Sequence, residues 1–329
     1  MMKSIRYCSH ILSCFALFYA TAAIADNAAL ERCLRDRLEQ TSANTPVSEL
    51  RAYCKERVTE KRSVVGGRLF DEWLIENNPF VITAHKPNYV LPLTYNTRPN
   101  QAPYADLQGD LQHLEVKFQL SLKLQMASRV LGPNSLLFFA YTNQSYWQAY
   151  NKEFSSPFRE TNHEPEIFVI LLQKWSLFGL QNRLIALSLN HQSNGRPGSQ
   201  SRSWNRIYAN FIFEKHNTVF SFRPWYRLPE EKKSTPTDPS GDDNPGIENY
   251  MGHGEFRMIH KRGQHTYSLM LRNNLRTENR GAVELGWSFP VGERLKGYVQ
   301  YFNGYGESLI DYDAPVNRMG VGIALTDWL

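Results

Sequence analysis

A histidine and a serine stand two positions apart in the segment NHQSNGR, residues 190–196, at the end of an apolar stretch. His191 and Ser193 are the residue types of a general base and a nucleophile, the pair that catalyses acyl transfer in serine hydrolases. Side chains alternate between the two faces of a strand, so His191 and Ser193 share a face with Leu187 and Leu189. The pattern predicts that the pair points outward among apolar neighbours, near a strand end.

A third polar residue on the following strand completes a candidate site. In the segment SWNRIYANFIF, residues 203–213, Asn205 shares a face with Ile207 and Phe211. If the two strands form a hairpin, Asn205 lies beside His191 and can accept its second N–H, which fixes the imidazole tautomer. An amide is also less costly than a lone carboxylate on a face that meets hydrocarbon.

A structural interpretation of the same residues stays open at this point. An H-x-S pair also occurs by chance, and polar residues at strand ends commonly serve as interfacial hydrogen-bonding groups. Three polar side chains on one apolar face are harder to explain structurally, which favours catalysis. A soluble sandwich-type esterase would need a G-x-S-x-G elbow, and the sequence contains none.

From about residue 79 onward, apolar and polar residues alternate with a period of two, which indicates that strands position these residues. In the segment LEVKFQLSLKLQM, residues 114–126, apolar residues alternate with charged and polar ones. A tilted strand of ~9–11 residues crosses the hydrocarbon of a membrane, whereas a helix needs ~20 apolar residues. The candidate strands are 79–95, 111–127, 135–148, 165–178, 181–193, 203–214, 217–228, 250–260, 264–275, 280–290, 294–304 and 317–328. Twelve is an even number, as expected for a bacterial barrel, so we predict an all-β fold: a 12-stranded antiparallel transmembrane β-barrel over residues 77–329.

The N-terminal quarter of the chain differs from this pattern. Residues 1–25 combine a basic start, an apolar run and an A-x-A site, which predicts a secretory signal peptide. Residues 26–76 are polar and helix-favouring, which predicts a small helical extension in the periplasm. Its two cysteines, Cys33 and Cys54, are expected to form a disulfide in an exported protein.

Charge and composition narrow the function classes further. The formal net charge is +5, and removal of Lys3 and Arg6 with the signal peptide lowers it to +3. This small excess predicts no nucleic-acid partner. The 18 Phe, 17 Tyr and 7 Trp are many for a chain of negative mean hydropathy, as expected when apolar and polar residues alternate along membrane strands.

Six segments resemble one known family in consistent order, the outer-membrane phospholipase A family of Gram-negative bacteria. They are GPNSLLFFAYTNQSYWQ, SSPFRETNHEPE, NHQSNGR, SRSWNR, DDNPGIENYMG and GYGESLIDYD. The resemblance covers about 79–329 and leaves out 26–76. It implies a twelve-stranded barrel in the outer membrane that hydrolyses acyl esters of phospholipids, with phospholipase A1 and A2 and lysophospholipase activity. It also implies a triad of Ser193 as nucleophile, His191 as base and Asn205 as the orienting amide.

The resemblance further implies dependence on Ca2+ and activation by homodimer formation. The matching calcium ligands are the Arg196 carbonyl, the Ser201 hydroxyl and Ser155, the last contributed to the site of the partner subunit. Asp243 matches a carboxylate of a second calcium site in the family. The companion carboxylate of that second site falls near Gly198, which has none.

An amide on the lipid face also serves the family dimer, and Asn143 holds the matching position here. The rival interpretation of the whole chain is a non-catalytic outer-membrane barrel, either a porin or a structural protein. Such a porin would have an open lumen, whereas the Glu, Lys and Arg residues on the predicted inward faces indicate a lumen filled by paired charges.

Overall fold

The computed structural model describes residues 33–35, 38, 46–68, 81–105, 110–154, 156–235, 237–238, 240–292 and 295–328. The chain divides into two units, Met1–Phe70 and Asp71–Leu329. The expected signal peptide, 1–25, lies outside the described residues. Among the described residues, no helix has both the length and the apolar composition needed to cross a membrane.

In the first unit, the described residues include a long helix, α1 (Val47–Arg62). A disulfide joins Cys33 to Cys54, whose Cα atoms lie 5.7 Å apart, a spacing that suits this bond. The Cys54 side chain is fully buried. The disulfide therefore ties helical residues before α1 to the middle of that helix.

The second unit consists mainly of antiparallel strands. Twelve of them are 9 to 15 residues long, and two are short. In chain order the strands are β1 (Ile82–Ala84), β2 (Asn88–Asn96), β3 (Leu114–Ser128), β4 (Ser135–Trp147), β5 (Phe158–Leu172), β6 (Ser176–Leu177), β7 (Leu180–Ser193), β8 (Ser203–Lys215), β9 (Thr218–Arg227), β10 (Gly254–Arg262), β11 (His265–Asn273), β12 (Gly281–Val291), β13 (Leu295–Tyr305) and β14 (Pro315–Thr326).

The twelve long strands close into a barrel. Each pairs with the next long strand in the sequence, β14 pairs with β2, and β3 pairs with both β2 and β4, so no long strand is left at an edge. The short β1 and β6 add to β3 and β7. The predicted 12-stranded antiparallel barrel is confirmed.

Several strand bounds differ from the predicted ones. The first candidate strand, 79–95, is broken into β1 and β2 around 85–87. β5 begins at Phe158, seven residues before the predicted start at 165. The candidate strand 250–260 begins only at Gly254, because residues before it form a short helix, α2 (Glu248–Met251).

The barrel wall has an apolar outer face and a polar inner face. On β3, Leu120 and Leu122 are exposed, whereas Lys117 and Ser121 are completely buried. The same alternation along the other strands exposes apolar side chains such as Phe139, Ile167, Leu187, Ile207, Leu285 and Val321. An apolar outer band with a polar interior is the pattern of a barrel whose outer surface contacts lipid.

Paired charges fill part of the barrel interior. Glu115 accepts hydrogen bonds from Arg159 at 2.6 Å and lies 2.7 Å from an Arg318 nitrogen. Glu307 binds Lys117 and Arg318, both at 2.9 Å, and all five side chains are almost completely buried. This network occupies space that an open channel would need for water.

The two ends of the barrel differ in the length of their connections. One end has short turns, for example at 216–217 and 263–264 between paired strands. The other end carries the longer connections, including 97–113, 194–202, 228–253 and 306–314. Short turns face the periplasm in barrels of this kind, and long loops face the cell exterior. The end of β7 and the start of β8, with the candidate site, lie at the long-loop end.

A cluster of buried apolar side chains stabilises this long-loop end from within. Its members come from β8, β9, α2, the residue just before α2 and the loop 306–314: Trp204, Tyr208, Trp225, Ile247, Met251, Leu309 and Tyr312. The Arg206 guanidinium lies 4.0 Å from the Trp204 ring centroid, a distance at which the cation and the ring attract. The cluster fixes the inner face of β8 beside the candidate site.

Candidate active site

The pairing of β7 with β8 brings together two members of the predicted triad, the candidate base and the amide expected to orient it. His191 is the register partner of Asn205, and Ser193 is the partner of Ser203. The imidazole Nδ1 of His191 lies 2.9 Å from Oδ1 of Asn205. This is hydrogen-bond distance between two side chains that are 14 positions apart in sequence.

The three side chains of the candidate triad lie on the outer face of the barrel. Between His191 and Ser193, Gln192 points inward, where its Oε1 accepts a hydrogen bond of 2.9 Å from the Trp204 indole. Trp204 is completely buried. Because successive side chains alternate, the residues that flank Gln192 and Trp204 must point outward. His191, Ser193 and Asn205 are each half-buried there.

His191 and Ser193 follow one another on this outer face. Two residues along a strand span about 6.6 Å, so the imidazole and the hydroxyl are adjacent side chains. Hydrogen bonds between a serine and its base are often long without substrate and shorten when substrate binds. The strand therefore presents a serine hydroxyl beside a histidine whose Nδ1 contacts Asn205.

Glu230 belongs to the site, and the sequence did not predict it. The Asn205 amide nitrogen donates a hydrogen bond of 3.1 Å to Oε1 of Glu230, in the loop after β9. The amide thus has the imidazole on its oxygen side and a carboxylate on its nitrogen side. No sequence motif identifies Glu230, because its contact depends on the path of a long loop.

A second histidine, His163, also flanks Ser193 and was not predicted. It lies on β5 as the register partner of Ser193. Its Nδ1 is 2.6 Å from the Tyr141 hydroxyl, and its ring lies beside Gly195, where an added Cβ would be 3.9 Å from the ring Cδ2. His163 has the same parity on β5 as the exposed Ile167, and this parity could have indicated that it faces outward.

The turn between β7 and β8 holds the candidate calcium ligand Arg196. Gly195 and Gly198 adopt positive φ values of 65° and 63°, a conformation that glycine tolerates well. The Arg196 guanidinium donates hydrogen bonds to the carbonyl of Arg159 at 2.5 Å and to Oε1 of Gln200 at 3.0 Å. These hydrogen bonds anchor the Arg196 side chain at the turn, three residues after Ser193.

Ser201 and Asp243 are also brought together at this turn. Oδ2 of Asp243 accepts hydrogen bonds of 2.9 Å from the hydroxyls of Ser201 and Ser203. Its other carboxylate oxygen contacts the Lys233 ammonium. Burial raises the pKa of Asp243, but hydrogen bonds from Lys233 and the two serines outweigh burial and hold the pKa below its ordinary value. Asp243 therefore stays ionised as the support of Ser201.

Ser155 and Asn143 are the two remaining residues that the sequence predicted for the site or its dimer contact. Ser155 lies outside the described residues. Asn143 lies on β4 as the register partner of His163, and its Oδ1 accepts a hydrogen bond of 3.0 Å from the Ser145 hydroxyl. Asn143 is therefore on the same side of the barrel wall as Ser193, one strand beyond His163.

The donor set at the turn fits a hard cation. Among the described residues no group of three or more His, Cys, Asp or Glu side chains could hold a metal ion. A backbone carbonyl at Arg196 and a hydroxyl at Ser201 are oxygen donors of the kind that Ca2+ accepts, together with water. The hydrogen bond from Ser201 to Asp243 places a negative charge directly behind one of these donors, which strengthens that oxygen as a ligand.

Comparison with known proteins agrees with this fold. The phospholipase A1 family model matches residues 68–325. Phospholipase A1 of Klebsiella pneumoniae is 37% identical over 272 residues, which are 82% of this chain and 91% of the relative.

Two solved structures also resemble the barrel closely. Outer membrane phospholipase A from Escherichia coli aligns with 38% identity and a TM-score of 0.70, over 76% of this chain and 94% of that one. The Salmonella typhi outer membrane phospholipase dimer with bound calcium aligns with 37% identity and a TM-score of 0.69, over the same shares. With its closed barrel, this chain is a protein of the bacterial outer membrane. It belongs to the phospholipase A1 family.

Proposed function

We propose that this protein hydrolyses acyl ester bonds of phospholipids at the surface of the outer membrane. Ser193 is the nucleophile, His191 is the general base, and Asn205 orients the imidazole. The observation that carries the proposal is the hydrogen bond of 2.9 Å between His191 Nδ1 and Asn205 Oδ1, on the outer face of the barrel. Lipid esters reach a catalytic group on that face without entering the barrel.

The arrangement of the three side chains supports a serine esterase mechanism. Asn205 Oδ1 accepts the hydrogen on His191 Nδ1, which leaves Nε2 free to take the proton of the Ser193 hydroxyl. The serine oxygen then bonds to the ester carbonyl carbon and forms a tetrahedral intermediate. When that intermediate collapses, the bond to the lysophospholipid oxygen breaks, and this oxygen takes the proton from His191.

The second half of the reaction uses the same groups in the opposite direction. His191 takes a proton from water as the water oxygen attacks the acyl carbon on Ser193. The bond between Ser193 and the acyl group then breaks, the serine recovers its proton from His191, and a fatty acid is released. Asn205 contacts His191 throughout and stabilises the imidazolium that forms in each half-reaction.

Calcium is proposed as the cofactor of this site. The Arg196 carbonyl and the Ser201 hydroxyl would hold it, with Ser155 of the partner subunit as a further ligand. A bound calcium ion supplies positive charge that polarises the ester carbonyl and stabilises the oxyanion. Asp243 is proposed for a second calcium site, where the ion would compete with the Lys233 ammonium for the same carboxylate.

We further propose that the active form is a homodimer. A ligand supplied by the partner makes the calcium site incomplete in a monomer. A group of polar side chains on β4 and β5 supports this proposal, because it lies on the lipid face beside Ser193. Its members are Asn143, Ser145, Tyr141 and His163. Such hydrogen-bonding groups within an apolar surface suit contact with a second copy better than contact with hydrocarbon.

Release of fatty acid from phospholipid tests the proposed reaction. Ser193→Ala should lower the rate by at least about 10⁴-fold, since loss of a catalytic serine removes the covalent route. The matched control is Ser268→Ala, which changes a buried serine on β11. Both variants should keep the heat-dependent electrophoretic shift of a folded barrel. Fatty acid release by Ser193→Ala at the normal rate would exclude the proposal.

The rival function is a porin or a structural barrel. Buried ion pairs such as Arg159 with Asp311, at 2.8 Å, cross the interior and oppose an open channel. Planar-bilayer recordings should show no stable open-pore conductance for the wild-type protein, whereas a porin would conduct.

A further inference from the structure

The loop after β9 continues alongside β8 and brings Glu230 to the candidate triad. Ile207 is paired with Tyr226 and Arg206 with Arg227, the last residue of β9. One step further, the Leu228 amide donates a hydrogen bond of 2.8 Å to the carbonyl of Asn205 itself. Glu230 follows two residues later.

The loop is also held on the far side of Glu230. The Asp242 amide donates a hydrogen bond of 2.7 Å to the carbonyl of Glu231, and the Asp242 carboxylate binds Arg227 at 2.5 Å. Glu230 therefore lies between two anchored points of the backbone. The half-buried carboxylate is positioned by backbone contacts on both sides.

The contact with Asn205 determines which way its amide points. An ionised carboxylate only accepts hydrogen bonds, so the nitrogen of Asn205 must face Glu230, at 3.1 Å. The amide oxygen is then left to face His191. If the amide were reversed, its NH₂ group would donate to Nδ1, which favours the imidazole tautomer with its hydrogen on Nε2. That tautomer cannot take a proton from Ser193.

We propose that Glu230 is a positioning residue of the active site: by holding the Asn205 amide in one orientation, it selects the productive tautomer of His191. This inference rests on the function proposed above and adds a fourth member behind the triad. The amide separates the charge at the loop end of the barrel from the imidazole at the lipid face. The carboxylate lies in the loop beyond the end of β9 and acts on the imidazole only through this amide.

The decisive test is a double-mutant cycle between Glu230 and Asn205, measured on detergent-dispersed phospholipid with the full-length protein in calcium. Glu230→Ala should lower kcat about tenfold, as for a lost hydrogen bond to a charged group, and leave KM within about twofold. Glu230→Gln keeps an acceptor oxygen and should recover a clear part of that loss. Glu231→Ala is the matched control: it removes the neighbouring, exposed carboxylate and should leave kcat unchanged.

In the Asn205→Ala background, Glu230→Ala should have no further effect on kcat, because the amide that it positions is gone. An equal tenfold loss in both backgrounds would overturn the inference, since it would mean that Glu230 acts independently of Asn205. Wild-type kcat for Glu230→Ala would also overturn it. If Asn205→Ala itself retained full activity, the proposed triad would fail instead, so the two failures are distinguishable.

Discussion

His191 and Asn205 face each other across β7 and β8, and their hydrogen bond lies on the face of the barrel that carries exposed Leu189 and Ile207. A charged group beside the imidazole at this position would face hydrocarbon, whereas an amide orients the ring without a charge. The relationship explains how the proposed base can be held in one tautomer at a lipid-facing surface.

Removal of the Asn205 amide should slow the reaction without abolishing it. Asn205→Ala takes away one hydrogen bond to the imidazole, so we expect kcat to fall roughly 10- to 100-fold, in line with about 1.5–3 kcal/mol for a hydrogen bond to a charged group. Asn205→Asp should have a kcat no higher than that of Asn205→Ala, because the new carboxylate would lie beside the carboxylate of Glu230. Steady-state release of fatty acid measures both effects. An unchanged kcat for Asn205→Ala would contradict the role of the amide.

The two histidines that flank Ser193 should respond differently to substitution. His191→Ala should lower kcat at least about 10³-fold, as expected for loss of a general base. His163→Ala should keep kcat within about fivefold, because the His163 Nδ1 is bound to the Tyr141 hydroxyl and has no orienting amide oxygen at the 2.9 Å distance found for His191. If kcat fell more in His163→Ala than in His191→Ala, the assignment of the general base to His191 would be wrong.

Calcium dependence should be sensitive to the Ser201 hydroxyl. Chelation should stop fatty acid release reversibly, and Ser201→Ala should raise the calcium concentration for half-maximal activity roughly tenfold or more, since a lost ligand or ligand support costs about 10–100-fold in metal affinity. Ser199→Ala, an exposed serine in the same turn, is the control. The proposed calcium site would be wrong if both variants had the wild-type calcium midpoint.

The buried charges in the barrel should contribute strongly to stability. Glu115→Ala leaves Arg159 and Arg318 without a shared carboxylate, so we expect the free energy of unfolding to fall by about 3–5 kcal/mol. Glu278→Ala removes a carboxylate whose side chain is 85% exposed and should change it by less than about 0.5 kcal/mol. Denaturant titration of both variants in the same detergent or bilayer compares them. Equal effects would show that the network is not a stabilising unit.

The alternation of apolar and polar residues predicted the barrel and the outward direction of the candidate triad, because side chains alternate between the inner and outer faces of a strand. The same alternation did not predict the start of β5. Arg159 and Glu160 look like loop residues in the sequence, yet both side chains are buried in the barrel interior, where Arg159 binds Glu115. Charges on the inner face of a barrel strand read as polar loop residues when the strand's partners are unknown. Similarly, Met251 joins a buried apolar cluster from a short helix, where the pattern predicted a strand.

Sequence patterns could not predict the contacts made by the loops. Glu230 and Lys233 both lie in the polar segment after β9, and nothing in their spacing shows that one reaches Asn205 and the other Asp243. Such contacts depend on backbone anchors like the hydrogen bond from Leu228 to Asn205. The meeting of His191 with Asn205, by contrast, could be predicted, because the strands that carry them are consecutive in the sequence and pair as antiparallel neighbours.

Covalent labelling with a long-chain alkylsulfonyl fluoride tests the central claim most directly. Intact-protein and peptide mass spectrometry should show one label per protomer, on Ser193, in the presence of calcium. The label should be absent from Ser193→Ala and formed at least about 10³-fold more slowly in His191→Ala. No labelling of the folded, calcium-loaded wild-type protein, or labelling of a different residue, would contradict the assignment of a lipid-facing nucleophile activated by His191.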